Sequence, residues 1–171
     1  MVAYLKRIDT GYEGSLTRQA APGDIVNEVL DSGTDWSTYG FGRPVKYNDA
    51  GKIVPVASGD TADVIKGMLV RTFPGRAITN TGTQAYPQIN GGAVPVARRG
   101  FMAVKLNGAT TPAKGGAVYI RVAGGSDTAP VGGIEAAADA TTAANTVLLP
   151  RAQFEGAPGA DGITTISFEI L

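Results

Sequence analysis

Cysteine and histidine are both missing from this chain of 171 residues. Without cysteine there is no disulfide framework and no thiolate. Without histidine there is no imidazole ligand, and neither a Ser-His nor a Cys-His nucleophile pair can be built. Most common enzyme chemistries, and thiolate or imidazole metal sites, are thereby removed. Net charge is absent as well, because 15 Lys and Arg balance 15 Asp and Glu, so nothing draws the whole chain to nucleic acid or to an anionic membrane. No apolar run approaches membrane-spanning length. The start, Met1-Val-Ala-Tyr-Leu-Lys-Arg7, lacks a signal peptide's apolar core, and the expectation is a soluble protein made in the cytosol.

Aromatic residues are scarce, at 7% of the chain, whereas glycine (24) and proline (10) are plentiful. Frequent turns and thin side-chain volume favour many short strands over long helices. A chain of this length fits one domain with a real core. The charge balance is not local: residues 122–171 hold one basic residue, Arg151, against six acidic ones, leaving fourteen basic and nine acidic before them. Such a distribution suits head-to-tail contacts between copies, unless folding interleaves the two parts.

The organising stretch runs from Ala50 to Pro74, preceded by Gly42–Asp49. Asn48-Asp49-Ala50-Gly51 is a turn signal that pairs Pro44–Tyr47 with Lys52–Ala57 as a hairpin. Asp60 or Thr61 then caps one or two helical turns over Ala62–Lys66, and Gly67 releases the chain into a strand from Met68 to Phe73. Before this unit, residues 1–23 mix charges with the apolar side chains Tyr4, Leu5, Ile8, Tyr12 and Leu16 at no clean period. They read either as a disordered terminus or as an arm laid across a partner, with Arg18 among its contacts. Ile25–Leu30 is a short strand or a helical turn. The cluster Trp36, Tyr39 and Phe41 either plugs the open end of the core or forms a contact loop.

Beyond the unit, Gly75–Gln88 is a long polar loop. Ala93–Ala97 and Phe101–Leu106 flank Arg98-Arg99-Gly100, which reads as a hairpin or as a bulge in one bent strand. Arg98 and Arg99 either meet an acidic surface or sit in a solvated turn. Ala117–Val122 is a strand, Gly132–Glu135 opens another, a short helix through Ala136–Asn145 rests on propensity alone, Thr146–Pro150 is a strand ended by proline, and Ile163–Ile170 closes the chain with Thr164, Ile166, Phe168 and Ile170 on one face.

Motifs for chemistry are sparse. Gly40-Phe41-Gly42 lacks the third glycine and the helix of a phosphate cradle, and neither a P-loop nor a Gly-x-Ser-x-Gly elbow occurs. Asp60 and Asp63 are better explained as a cap and a solvent-facing acid than as cation ligands. The acids fall in turns without an aromatic platform for glycoside chemistry. No catalytic residue, cofactor or metal ligand is expected.

Tyr39-Gly-Phe-Gly-Arg-Pro-Val45, Gly51-Lys-Ile-Val-Pro55, Gly59-Asp60 and Gly67-Met-Leu-Val-Arg-Thr-Phe-Pro74 resemble the structural cement, or capsid decoration, proteins of tailed bacteriophages. Arg99-Gly-Phe-Met102, Gly116–Val122, Gly132-Gly133, Ala152-Gln-Phe154 and the ending Ile166-Ser-Phe-Glu-Ile170 carry the likeness on in order. The resemblance implies a non-enzymatic structural protein on the outer surface of the mature capsid, made in the host cytoplasm. It would bridge major capsid subunits and associate with other copies of itself, as trimers or else dimers, with no nucleic-acid or membrane partner. The expected fold is mainly β: a single compact β-barrel or β-tulip-like domain over residues 24–171, with one short helix and an extended N-terminal arm over residues 1–23. Two alternatives stand beside it. A glycan- or host-binding β module would use Trp36, Tyr39 and Tyr86 with Gln84, and a small β-rich hydrolase would depend on Asp60.

Overall fold

The computed structural model describes residues 11–71, 77–79, 82–83 and 93–170. The described residues form twelve strands and two single 3-10 turns, an almost helix-free mainly β body. The strands are β1 (Ile25–Val29), β2 (Pro44–Tyr47), β3 (Ile53–Pro55), β4 (Ile65–Leu69), β5 (Ala77–Thr79), β6 (Gly82–Thr83), β7 (Ala93–Ala97), β8 (Arg99–Asn107), β9 (Ala117–Arg121), β10 (Ile134–Glu135), β11 (Thr146–Phe154) and β12 (Ile163–Glu169).

Five of them close into a barrel in the order β10-β8-β12-β11-β9. A second, five-stranded sheet runs β1-β7-β4-β2-β3, and one parallel bridge between Leu30 and Ile53 joins its two edge strands at one end. A small hairpin, β5-β6, stands apart.

The expected hairpin forms. Val45 pairs with Pro55 and Tyr47 with Ile53, and the Asn48 side-chain oxygen accepts from the amides of Ala50 and Lys52, both at 3.0 Å. Gly51 takes φ 71°, a left-handed conformation that glycine adopts without penalty. The helix expected over 62–66 does not. Only Ala62–Val64 makes a single 3-10 turn, and Thr61 gives it no side-chain cap. Asp60 is engaged elsewhere, accepting from the Ala57 amide at 2.6 Å and from Lys46 Nζ at 2.8 Å. Gly67 lies inside β4 rather than before it. A Cβ there would stand 2.4 Å from Val96 Cγ1 and 2.7 Å from the Ala97 carbonyl oxygen, so the glycine permits close approach of β7, not a turn.

Arg98 is the corner where the chain passes from the second sheet into the barrel, with β7 on one side and β8 on the other. Pro150 does not end its strand. It falls in a bulge of β11 where the register to β9 jumps between Leu148 and Gln153, and the strand continues to Phe154. The alanine-rich segment yields a 3-10 turn at Ala143–Asn145 and no longer helix. In β12 the alternation is as read, with Thr164, Ile166, Phe168 and Ile170 all buried.

The main core fills the barrel with Met102, Val104, Ile120, Leu149, Phe154 and Ile166, and continues into Ile65, Met68 and Ala97 of the second sheet. A second core lies within that sheet: Trp36, Tyr39 and Phe41 pack on Val45, Ile53, Leu69 and Val96. Each side chain of this size contributes about 1.5–3 kcal/mol when fully buried. The aromatic cluster is therefore packing, which corrects its reading as a contact loop. Trp36 Nε1 donates to the Asp31 carbonyl at 3.0 Å, Tyr39 meets Trp36 edge to face at 5.9 Å, and the Tyr39 hydroxyl donates to the Pro44 carbonyl.

Candidate interaction surface

Residues 1–10, which carry Tyr4, Leu5 and Ile8, lie outside the described residues. From Gly14 the chain belongs to the body. Strand β10 pairs with β8 only at Leu106 and Asn107, so the rest of that edge of β8 needs another neighbour. Gly14–Thr17 supplies it: the Gly14 amide donates to the Ala103 carbonyl (2.7 Å), the Ala103 amide to Ser15 (2.8 Å) and the Thr17 amide to Phe101 (2.9 Å). This strap is further held by the Arg71 amide, which donates to the Gly14 carbonyl at 2.8 Å. Gly14 allows the fit, since a Cβ there would lie 2.5 Å from Phe41 Cβ. The expected arm boundary at residue 23 is thereby corrected: backbone pairing holds the strap to its own barrel.

The remaining arm candidates divide accordingly. Leu16 packs against the barrel core. The Arg18 guanidinium lies 3.7 Å over the Phe101 ring, a cation–π contact that fixes the strap's outgoing end. Tyr12, by contrast, is 61% exposed, with the Arg71 guanidinium 5.7 Å from its ring. Among the described residues it is the large apolar side chain most open to a partner.

Arg98, at the corner between β7 and β8, and Arg99, the first residue of β8, take different partners. Arg98 pairs with Glu28 at 3.4 Å and Arg99 with Asp24 at 2.8 Å, so Arg99 ties the corner to the residue before β1 and Arg98 ties it to the far end of that strand, both staying about half exposed. Tyr47 joins the first pair by donating to Glu28. Hydrogen bonding to that carboxylate, with some burial, raises the phenol's pKa.

A shallow groove of about 380 Å³ crosses the outer wall of β8, β12 and β11. Phe101, Ser167 and Gln153 form one cross-strand row along it, Arg99 pairs with Glu169 farther on, and Arg151 also lines the wall. Arg151 is the one non-glycine residue with positive φ, 57°, among the described residues. The bulge turns its side chain back toward Glu169 at 3.8 Å. Sequence reading missed this, since a proline in a strand signals a bulge only when the strand is known to continue beyond it.

Sequence reading also missed a buried ion cluster. Arg121 binds Glu135 through Nε (2.5 Å) and Nη2 (3.1 Å), and Asp139 through Nη1 (2.8 Å). Bonds from Arg121, from the amides of Thr142 and Thr141 and from Asn145 hold the Asp139 carboxyl well below its ordinary value. The bonds that Arg121 donates to Glu135 raise its own pKa in turn. Every member is satisfied, so the cluster locks the loop after β10 to β9 and leaves no group poised for chemistry. No group of three or more metal-ligating residues occurs among the described residues. Asp60 is engaged by Lys46 and the Ala57 amide, so the hydrolase alternative has no free acid there. The glycan alternative loses Trp36 and Tyr39 to the core, and its Tyr86 and Gln84 lie outside the described residues.

A solved structure described as the capsid of Myoviridae phage XM1 contains a chain of the same fold. It shares 22% identity at a TM-score of 0.69, with 99% of this chain and 97% of that one covered. No curated protein matches. The likeness is to a class, the capsid-associated proteins of tailed phages. Within that class the chain belongs to the XM1 gp53 minor capsid protein family, whose model matches residues 1–168. It is thus a structural protein of the phage capsid, and of the virion.

Proposed function

We propose that this protein binds the exterior of the mature capsid, bridges neighbouring major capsid subunits and stabilises the head without catalysing a reaction. The observation that carries this reading is the match of family and fold along nearly the whole chain to a capsid component. The architecture supports it: Asp60, Arg98, Arg99 and the Arg121 cluster are tied into ion pairs and turns, and the composition allows neither a Ser-His nor a Cys-His pair.

The mechanism is mass action. A protein that binds the assembled shell and not its loosened state stabilises it by RT ln(1 + [L]/Kd), about 2.7 kcal/mol per site at a hundredfold excess over Kd. Many sites per shell multiply the effect against the pressure of packaged DNA. The body packs as trimers, dimers being the alternative, and Tyr4, Leu5, Ile8 and Tyr12 at the leading end supply partner contacts, with Arg99 and Arg151 on the groove wall. The test mixes purified protein with undecorated mature heads. Stoichiometric added density at symmetry-related positions on the outer surface is expected. Absence of such density at saturating protein, or density confined to the interior, overturns the reading.

A further inference from the structure

We infer that the bulge of β11 is the docking point for an extended segment of a neighbouring capsid subunit, one that carries a carboxylate beside an aliphatic side chain. The inference rests on the capsid reading only for the neighbour. Four observations meet at one residue, Arg151. It holds a φ of 57°, the one left-handed non-glycine among the described residues. That conformation crowds the Cβ against the following carbonyl, and such residues persist where the surrounding structure forces them, often at ligand clamps. The ladder is interrupted at the same place: Leu149, Pro150 and Arg151 have no register partner on β9 or on β12. A bulge re-aims a side chain, and this one leaves the Arg151 side chain 57% exposed.

The guanidinium gains little inside its own chain. Among the described residues it meets one carboxylate, Glu169, at 3.8 Å, beyond hydrogen-bond reach. A half-exposed pair of that length contributes little. Arg98, Arg99 and Arg121, by contrast, each reach a carboxylate oxygen at 3.4 Å or less. Two grooves also meet at the Arg151–Glu169 pair, which lines both. The one already described runs past Arg99, Phe101, Gln153 and Ser167. The second, of about 250 Å³, lies between β11 and the 3-10 turn, with Ala62, Leu149, Pro150 and Ile170 as its apolar walls and the exposed Asp63 beside them.

The chemistry of the occupant follows from the two sides. On the first, Arg99 and Arg151 outnumber Glu169 along the wall, so a carboxylate is favoured there. It displaces Glu169 and takes the Arg151 guanidinium at hydrogen-bond range, the stronger form of that contact. Gln153 and Ser167 direct their donors to Glu155, itself near Arg18, which leaves their oxygens to accept from the amides of an extended chain. On the second side the apolar walls suit an aliphatic side chain, and Asp63 repels a second acid, which sets the direction of the segment. An oligosaccharide fits less well, because the Arg18 guanidinium already lies 3.7 Å over the Phe101 ring on which a sugar would stack.

The test uses the full chain in solution with two end-blocked hexapeptides, one alternating leucine with glutamate and the other leucine with glutamine. The glutamate peptide is expected to shift the NMR resonances of Leu149, Arg151, Gln153 and Glu169, and to bind more weakly as salt rises. Arg151→Gly removes the guanidinium at a φ that glycine adopts freely, so it is expected to keep or raise the thermal midpoint and to weaken the peptide by about tenfold or more. Arg151→Asn, which also tolerates that φ, is expected to do the same. Glu169→Gln removes the internal competitor and is expected to tighten the peptide by roughly two- to fivefold. A glutamine peptide that binds equally well, an Arg151→Gly chain that binds like the wild type, or no shift with either peptide overturns the inference, as does a response to cellohexaose in place of the peptide. On undecorated heads, equal binding by wild type and Arg151→Gly also overturns it and leaves the capsid reading intact. Heads that bind neither chain sink the capsid reading, and the peptide measurement still decides this one.

Discussion

Replacing Trp36 by alanine separates a packing residue from a docking residue. Its ring is 1% exposed, it packs in the second core with Val45, Ile53, Leu69 and Val96, and its Nε1 donates to the Asp31 carbonyl. Truncating a buried Trp to Ala costs about 3–5 kcal/mol. For a chain of this size each kcal/mol moves the thermal midpoint by roughly 2–4 °C, so the expected drop is about 6–20 °C. Trp36→Phe keeps a ring against Tyr39 and loses the indole donor. It is expected to cost roughly 0.5–1.5 kcal/mol for the bond, plus a smaller packing loss, and so to fall between wild type and alanine. The assay is a reversible melt followed by near-ultraviolet circular dichroism, paired with a head-binding measurement well below the midpoint. Were Trp36 a contact residue instead, Trp36→Ala would bind heads poorly while melting with the wild type. That outcome would refute the argument from burial.

A chain lacking residues 1–10 sets the reference midpoint for the strap. Deleting residues 1–20 uncovers the β8 edge and removes Leu16, at a cost of roughly 1–3 kcal/mol with aggregation visible by light scattering; equal midpoints for the two truncations would count against the strap. Gly67→Ala drives a Cβ into Val96 and the Ala97 carbonyl, and overpacking of this kind costs about 1–3 kcal/mol, read by denaturant unfolding; an unchanged midpoint concentration would show that β4 and β7 separate freely. Asp139 gives a pH dependence. Its carboxyl is held low in the folded chain, so the unfolded chain binds that proton more readily. The stabilisation is complete above the ordinary carboxylate range and is lost as pH falls through it toward the lower folded value. The gap in midpoint between wild type and Asp139→Asn should therefore narrow from neutral to about pH 2, and a constant gap would remove Arg121 as the cause.

The local alternations and turns were legible in the amino-acid order. Asn48–Gly51 and its hairpin, the strand at Ala117 and the buried face of β12 each depend on residues two apart or on a turn's own side chains, so composition and period suffice. Class was legible as well: a chain without histidine or cysteine, dense in glycine, joined by a series of short motifs to phage capsid proteins, points to assembly more than to chemistry. Pairings between distant segments were not legible. That Gly14–Thr17 closes a gap on β8, that Gly67 serves β7 and not a turn, that Arg121 of β9 reaches Asp139 in the loop after β10, and that Trp36 faces inward are decided only when the sheets close, because each depends on which distant segment comes to lie beside it.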